Sequence, residues 1–490
     1  MVYAPSFIRS SNNLLCCCSS LCFCIGGVSL RKHIFFIGIG GYGLSAIARL
    51  MHEKGNIVSG SDHVLSPLAI ELRKLGINVY EDHSPDHIVG VDLVVRSSAI
   101  PDSNVEVDAA RKAGIPVLKR SEFLGEVIEQ HKGIAVGGTH GKTTTTAMIS
   151  WLLAGLDQDP SYIIGGVSKN LGINAHAGKG EYFVIEADEY DRMFLGLKPF
   201  IEIITNMEHD HPDCYPTYAD YFQAFLAFTK KINPQGFIVI CGDDKGNQSL
   251  LPHLSQTRRF TYGLEASNDY QATDVTVNSN GGYSFGLNFH SPTDTQKLAQ
   301  VELIVPGLHN VQNAMAALVI AHKCNLDLER SSRLLRQFTG TGRRFDIQGT
   351  FNGITLIDDY AHHPTEIKAT LEAAKNKFPD QHLWVVWQPH TFTRTITLMD
   401  QFVQSFDQAD HVIISEIFAS REKNDSISSQ QILTKMNHPD VRYIPAIPEI
   451  IEILSKELKS GDVLIVLSAG DADQINKILA TSFHFKEGVQ

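Results

Sequence analysis

The nine residues Gly138-Thr139-His140-Gly141-Lys142-Thr143-Thr144-Thr145-Thr146 constrain this chain more than any other segment. They follow Gly133–Val136, a short apolar run of strand type. Small residues at such a point let backbone N–H groups curl around an anion, while the helix that follows turns its positive end toward it. Lys142 stands where a lysine reaches the terminal phosphates of a nucleotide, and Thr143 where a hydroxyl binds Mg²⁺. The spacing departs from the common G-x-x-x-x-G-K-[ST] form, whose first glycine would fall at Val136. The segment therefore predicts a shortened phosphate loop that binds ATP. The bland alternative is a glycine-rich turn between strand and helix.

A chain of 490 residues exceeds one hydrophobic core and predicts about three domains. The expected fold class is α/β, with three domains: Rossmann-like, a central mixed sheet of phosphate-loop ATPase type, and Rossmann-like again. Strand-like runs at His33–Ile37, Ile57–Ser59, Val91–Arg96 and Pro116–Leu118 alternate with helical patterns, as in a doubly wound parallel sheet. This unit is set at residues 31–131. A central unit, 132–340, carries Tyr182–Glu186 and Ile201–Asn206 as buried strands, then a β-rich stretch from Ser255 to Pro306. The stretch Gly340–Arg344 reads as a linker, and 341–490 as the third unit, with strands at Ile354–Ile357, Leu383–Trp387, His411–Ser415 and Val463–Leu467.

Five of eight cysteines lie in the first 24 residues. The remaining three are too few and scattered for a disulfide framework, so the body reads as cytoplasmic. Residues 1–30 read as a disordered extension the fold does not need. Leu14–Leu30 is short for a membrane span, and with only Arg9 before it is a poor secretory signal. A formal charge of -12 argues against nucleic-acid binding.

Polar clusters follow several strands, where ligands bind in open α/β sheets. Glu186-Ala187-Asp188-Glu189-Tyr190-Asp191 places four carboxylates together, a costly arrangement that a cation such as Mg²⁺ relieves. Asn206-Met207-Glu208-His209-Asp210-His211 could suggest zinc, but no cysteine has the spacing; His211 is favoured at a second Mg²⁺. In the third unit Asp358-Asp359-Tyr360-Ala361-His362-His363 and Gln388-Pro389-His390-Thr391-Phe392-Thr393-Arg394 follow strands, with Arg343 and Arg344 in the linker. Gly38-Ile39-Gly40-Gly41-Tyr42-Gly43, with Asp62 downstream, matches a dinucleotide fingerprint, although a nucleotide diphosphate sugar would suit the same helix N-terminus. A nicotinamide-dependent oxidoreductase is the alternative from another class, and it leaves the phosphate loop and Glu186–Asp191 unexplained.

Taken in order, GIGGYGLS, GSD, SSAI, GTHGKTTTT, EADEYD, NMEHDH, HNVQNAMAA, GRRFD, DDYAHHPTEI and QPHTFTRT resemble the Mur ligases of bacterial cell-wall synthesis, from about Lys32 to Ile478. The resemblance implies a UDP-sugar domain, an ATP domain and an amino-acid domain. It implies ATP-dependent joining of L-alanine to the lactoyl carboxylate of UDP-N-acetylmuramate, through an acyl phosphate and a tetrahedral intermediate. Lys142, Glu186, His211, Arg344 and His363 are the implied catalytic residues, with Thr143, Glu186 and His211 at Mg²⁺. ATP contacts are implied for Gly138, Thr139, His140, Gly141, Lys142, Thr143, Thr144, Asn310, Asn313, Arg344 and Asp359. Gly38, Gly40, Gly41, Gly43, Ser61, Asp62, Ser97 and Ser98 match UDP-sugar positions; Tyr360, His363, His390 and Arg394 match amino-acid or phosphate positions. Monomer or homodimer, and no stable membrane association, are expected. Tyr190 replaces the serine usual in EADESD, a form shared with ligases that attach a recycled tripeptide, whereas QPHTFTRT favours alanine.

Overall fold

Three sheets organise the chain in the computed structural model, which describes residues 24–25, 28–29, 31–254, 257–420, 422–423 and 427–487. Most of the leader lies outside these residues; within it, Cys24–Ile25 pairs antiparallel with Val28–Ser29. The first sheet has five parallel strands in the order Asn78–Tyr80, Ile57–Ser61, His33–Ile37, Leu93–Arg96, Val117–Lys119. His33–Ile37 lies at its centre because it is apolar on both faces, with Phe35 and Phe36 fully buried.

The central sheet has ten strands. Lys132–Gly137 pairs in parallel with Tyr182–Glu186 on one side and Ile201–Ile204 on the other. The phosphate loop and both carboxylate clusters therefore leave adjacent strands at the same sheet edge. Beyond Phe237–Cys241 and Arg259–Gly263 the sheet turns antiparallel through Tyr270–Val277, Tyr283–His290 and Thr295–Glu302, which makes it mixed, as expected. The third sheet has six strands, five parallel and Asp346–Phe351 antiparallel at the edge. Ile354–Asp359 and Leu383–Gln388 flank the central Val463–Ser468.

The helix Lys142–Gly155 opens on four threonines, a run of poor intrinsic propensity. Tertiary packing supports it: Met148, Ile149, Leu152 and Leu153 are buried in one core with Val311, Ala314 and Leu318 of the helix Leu308–Lys323. Its hydroxyls are bonded internally, Thr146 Oγ1 to the Lys142 carbonyl and Thr145 Oγ1 to Asn313 Oδ1.

One core residue defies the pattern. Glu202, within the central strand Ile201–Ile204, is fully buried and neither carboxyl oxygen has a hydrogen-bond partner. Burial pushes its carboxyl well above the ordinary range, so the folded protein holds a proton that the unfolded chain releases. Its penalty therefore grows as pH rises above the unfolded value. Glu202→Gln is expected to stabilise the fold by about 1–3 kcal/mol at neutral pH, with the gain vanishing near about pH 4. Thermal melts of both proteins across that range check this; a gain independent of pH would contradict it.

Candidate active site

The phosphate loop is braced by the neighbouring strand end. Thr205 Oγ1 donates to the His140 carbonyl at 2.6 Å, and the His140 N–H donates to Asn206 Oδ1 at 2.8 Å. Gly138 has φ +133° and a Cβ there would collide with Thr205 Oγ1. Gly141, the helix N-cap, has φ +81° and lies under the Asn313 amide. Lys142 folds back over the loop: Nζ donates to the carbonyls of Gly138 (2.6 Å) and Thr139 (3.0 Å) and pairs with Glu189 at 2.9 Å.

Thr143 Oγ1 lies 3.0 and 3.1 Å from the two oxygens of Glu186, whose Oε2 also accepts from the Gly165 N–H. Burial raises the Glu186 carboxyl, against the pull of Lys142. His211, at φ +54°, turns to another carboxylate, with Nε2 3.6 Å from Glu189 and 3.7 Å from Asp210. The three expected metal residues thus divide: Thr143 and Glu186 touch, while His211 faces Glu189. Glu189 is buried and held below the ordinary range, because Lys142 and His211 outweigh its desolvation. Oxygen donors of this kind suit a hard cation such as Mg²⁺.

The third sheet closes over this edge. Arg394 pairs with Asp210 at 2.9 Å, both side chains 4% exposed. Burial would raise Asp210, but His211 and Arg394 hold it well below the ordinary range. Thr365 Oγ1 donates to Glu208 at 2.8 Å. Glu366 accepts from the His362 N–H and lies 3.3 Å from His140 Nδ1 and 3.4 Å from Arg344. His363 is the N-cap of the helix Pro364–Lys377: Nδ1 accepts from the Thr365 N–H, and Nε2 is buried without a partner. His390 Nδ1 lies 3.0 Å from Arg394, and the Tyr360 ring is faced by Arg343 and Arg344 at 5.1 and 5.0 Å. His140, Glu208 and His363 bring ligand atoms within 4.8 Å of one another, a cluster that spans both units.

Between the central and third sheets lies a cavity of about 500 Å³, large enough for a nucleotide. His140, Gly141, Thr143, Thr144, Asn310, Asn313, Arg344 and Asp359 line it; Gly138, Thr139 and Lys142 are not among its lining residues. Two of the expected contacts also have structural duties. Asn313 accepts from Thr145 and donates to Asn310, which donates to the Pro306 carbonyl. Asp359 accepts from the N–H groups of Phe345 and Ala361, which locks the linker turn.

In the first sheet Asp62 accepts from the Gly40 N–H at 2.9 Å, bracing the glycine loop. The Ser61 hydroxyl is buried and donates to Glu106 at 2.6 Å. Gly38 packs beside Ser97, Ser97 Oγ accepts from the Ala99 N–H, and Ser98 is exposed.

Three family models match successive stretches of the chain. "Mur ligase family, catalytic domain" covers 33–132, "Mur ligase middle domain" 136–321, and "Mur ligase, glutamate ligase domain" 343–470. A curated UDP-N-acetylmuramate–L-alanine ligase from Caldanaerobacter subterraneus is 38% identical over 91% of this chain and 96% of its own length. The chain belongs to the Mur ligase family. A relative of the same name from Clostridium novyi is 40% identical over 91% of this chain and 97% of its own. The solved UDP-N-acetylmuramate-alanine ligase of Thermotoga maritima superposes with a TM-score of 0.78 at 28% identity, covering 93% of this chain and all of that one. A murein peptide ligase from Psychrobacter arcticus gives 0.68 at 27%, over 92% and 98%.

Sequence reasoning left several site residues of this Mur ligase without a role. Glu208, Asp210 and Glu189 stood inside quoted motifs, but their partners lie far along the chain. Glu366 had a usable signal, an acid three positions into a helix beginning at Pro364. Its neighbour His140 is held upward: burial would lower it, but hydrogen bonds to Glu208 and Glu366 hold it at about 9. Stability from this pairing is full below the unfolded histidine value and is lost as pH rises through about 9. Imidazole NMR should therefore find His140 charged throughout the neutral range, and Glu208→Gln should lower its midpoint by about one unit or more. A midpoint near the ordinary 6.5 in the parent protein would contradict the pairing.

Proposed function

We propose that the chain is a cytoplasmic UDP-N-acetylmuramate–L-alanine ligase that uses ATP and Mg²⁺ in peptidoglycan precursor synthesis. The observation that carries the reading is the full-length similarity to ligases of that name, combined with a phosphate loop that opens on a nucleotide-sized cavity. Among the described residues no helix is long and apolar enough to cross a membrane.

The chemistry needs a carboxylate oxygen to attack the γ-phosphorus of ATP as ADP leaves. Loop N–H groups and Lys142 supply positive charge where the transferring phosphoryl group becomes most negative. Burial lowers Lys142, but Glu189 and Glu186 raise it further, so it stays charged. Nucleotide binding would offer Lys142 phosphate oxygens in place of Glu189. Thr143 and Glu186 would hold Mg²⁺ on one side of the site and His211 with Glu189 on the other; the ion's chemistry there is to neutralise phosphoryl charge. In the second step the neutral amine of L-alanine attacks the acyl carbon, the carbonyl oxygen becomes an oxyanion, and the C–O bond to phosphate breaks, with the departing phosphate taking up the proton that the nitrogen loses.

The C-terminal residues would bind the anions of that step. Because His363 Nδ1 accepts a hydrogen bond, its neutral ring carries hydrogen on Nε2. Burial keeps the ring neutral, so His363 acts as a donor to an oxygen and not as the base. Arg344 lines the cavity, and Arg394 with His390, 3.0 Å apart, would serve the incoming alanine. Tyr190, whose ring packs 5.1 Å from His211, is the feature that favours the tripeptide-attaching alternative.

Release of ADP should require both UDP-N-acetylmuramate and L-alanine, and Lys142→Ala should lower kcat by about 10³-fold or more. A coupled ADP assay reads both effects. Turnover indifferent to the sugar nucleotide would sink the ligase reading, and preference for L-Ala-D-Glu-diaminopimelate over L-alanine would select the alternative.

A further inference from the structure

His140, Glu208 and His363 come from three distant segments: the phosphate loop, the turn after the strand Ile201–Ile204, and the N-cap of the helix Pro364–Lys377. One ligand atom of each lies within 4.8 Å of the other two. Glu208 Oε2 is their meeting point, 3.0 Å from His140 Nε2 and 3.8 Å from His363 Nδ1. The His363 side chain is fully enclosed and that of His140 is 14% exposed. Both rings are oriented as metal ligands would be. His363 Nδ1 accepts from the Thr365 N–H at 3.3 Å, a long bond, which leaves its lone pair on Nδ1 and the ring hydrogen on Nε2. His140 turns its other nitrogen, Nδ1, to Glu366 Oε1 at 3.3 Å. A carboxylate placed behind a histidine fixes the tautomer and strengthens the opposite nitrogen as a ligand.

Two imidazoles and one carboxylate suit a borderline-soft cation such as Zn²⁺, whereas Mg²⁺ prefers oxygen donors. Thr143, Glu186 and His211, the residues expected at Mg²⁺, supply none of these three atoms. Tetrahedral ligation at about 2.0–2.1 Å sets ligand atoms roughly 3.3 Å apart, so closing the site takes a side-chain shift of about an ångström. We propose that His140, Glu208 and His363 form a Zn²⁺-class site that clips the central unit to the third. As the ion arrives, the proton between His140 Nε2 and Glu208 leaves for solvent. Three protein ligands leave a fourth position open to water or an anion, and two of the three line the nucleotide-sized cavity. This site is additional to the ligase reading, and its test needs no turnover.

Co²⁺ is the spectroscopic probe and Zn²⁺ its competitor, both titrated into the full chain with Mg²⁺ in excess. The parent protein should show the intense visible bands of tetrahedral cobalt with nitrogen and oxygen ligands, and Zn²⁺ should bleach them. Ions held by the cysteines near the N-terminus are told apart by a sulfur-to-cobalt charge-transfer band in the near ultraviolet. His363→Asn keeps a residue that can cap the helix but removes a ligand, and Glu208→Gln keeps the shape but removes the charge. Each should abolish the visible bands, and because the two are independent, one that failed to fold would leave the other to decide. Glu366→Gln should retain the bands and weaken Zn²⁺ by about 10–100-fold, the effect of losing an outer partner. His211→Asn should leave them unchanged. Absence of tetrahedral bands in the parent protein would overturn the proposal. So would bands that persist in a folded His363→Asn, or that vanish in His211→Asn.

Discussion

Glu208 and Asp210 leave the end of one central strand and meet Thr365 and Arg394 across the boundary with the third sheet. Buried charges survive only when paired, so this seam of carboxylates and cations governs how the two units can sit. The buried Arg394–Asp210 pair is the most demanding contact: removing one partner strands the other, at a cost of about 3–5 kcal/mol. Around it, His140, Arg344 and Glu366 form a second set in which every member would be unfavourable alone. Under the proposed function, a nucleotide and a carboxylate substrate would enter by offering their own charges to these same groups.

The frame for the seam is apolar. Parallel strands buried on both faces place Glu186, the phosphate loop and Asn206 on one edge of the central sheet. The strands Ile354–Asp359 and Leu383–Gln388 do the same for Asp359 and His390 in the third. Rigid strands therefore deliver the chemistry, and short loops carry it. Those loops hold backbone in unusual states, with Asp191, Arg192, His211, Arg343 and Thr391 all at positive φ. Such conformations persist where surrounding bonds over-determine them, as the Tyr360 N–H does by donating to the Arg343 carbonyl.

Much of this was legible in one dimension. His33–Ile37 and Tyr182–Glu186 are strands with the bounds that their apolar runs announce, because a run buried on both faces has no other use. The polar clusters at strand ends were visible for the same reason: chemistry sits where the apolar run stops. What could not be read was pairing. Nothing in the spacing says that Lys142 meets Glu189, 47 residues on, or that Arg394 meets Asp210, 184 residues back. Nor does it say that Asp62 and Ser61 turn inward to Gly40 and Glu106. Local periodicity encodes which face is buried, whereas partner choice depends on how separate sheets dock.

In the proposed reaction the groups gathered at this seam activate a carboxylate by phosphorylation. This activation is tested most directly with UDP-N-acetylmuramate carrying ¹⁸O in its lactoyl carboxylate, turned over with ATP, Mg²⁺ and L-alanine. Attack of the carboxylate on the γ-phosphorus transfers one labelled oxygen to each phosphate released, which mass spectrometry of the phosphate detects. Unlabelled phosphate accompanying formation of the amide would contradict the acyl phosphate, and with it the role assigned to the loop and Lys142.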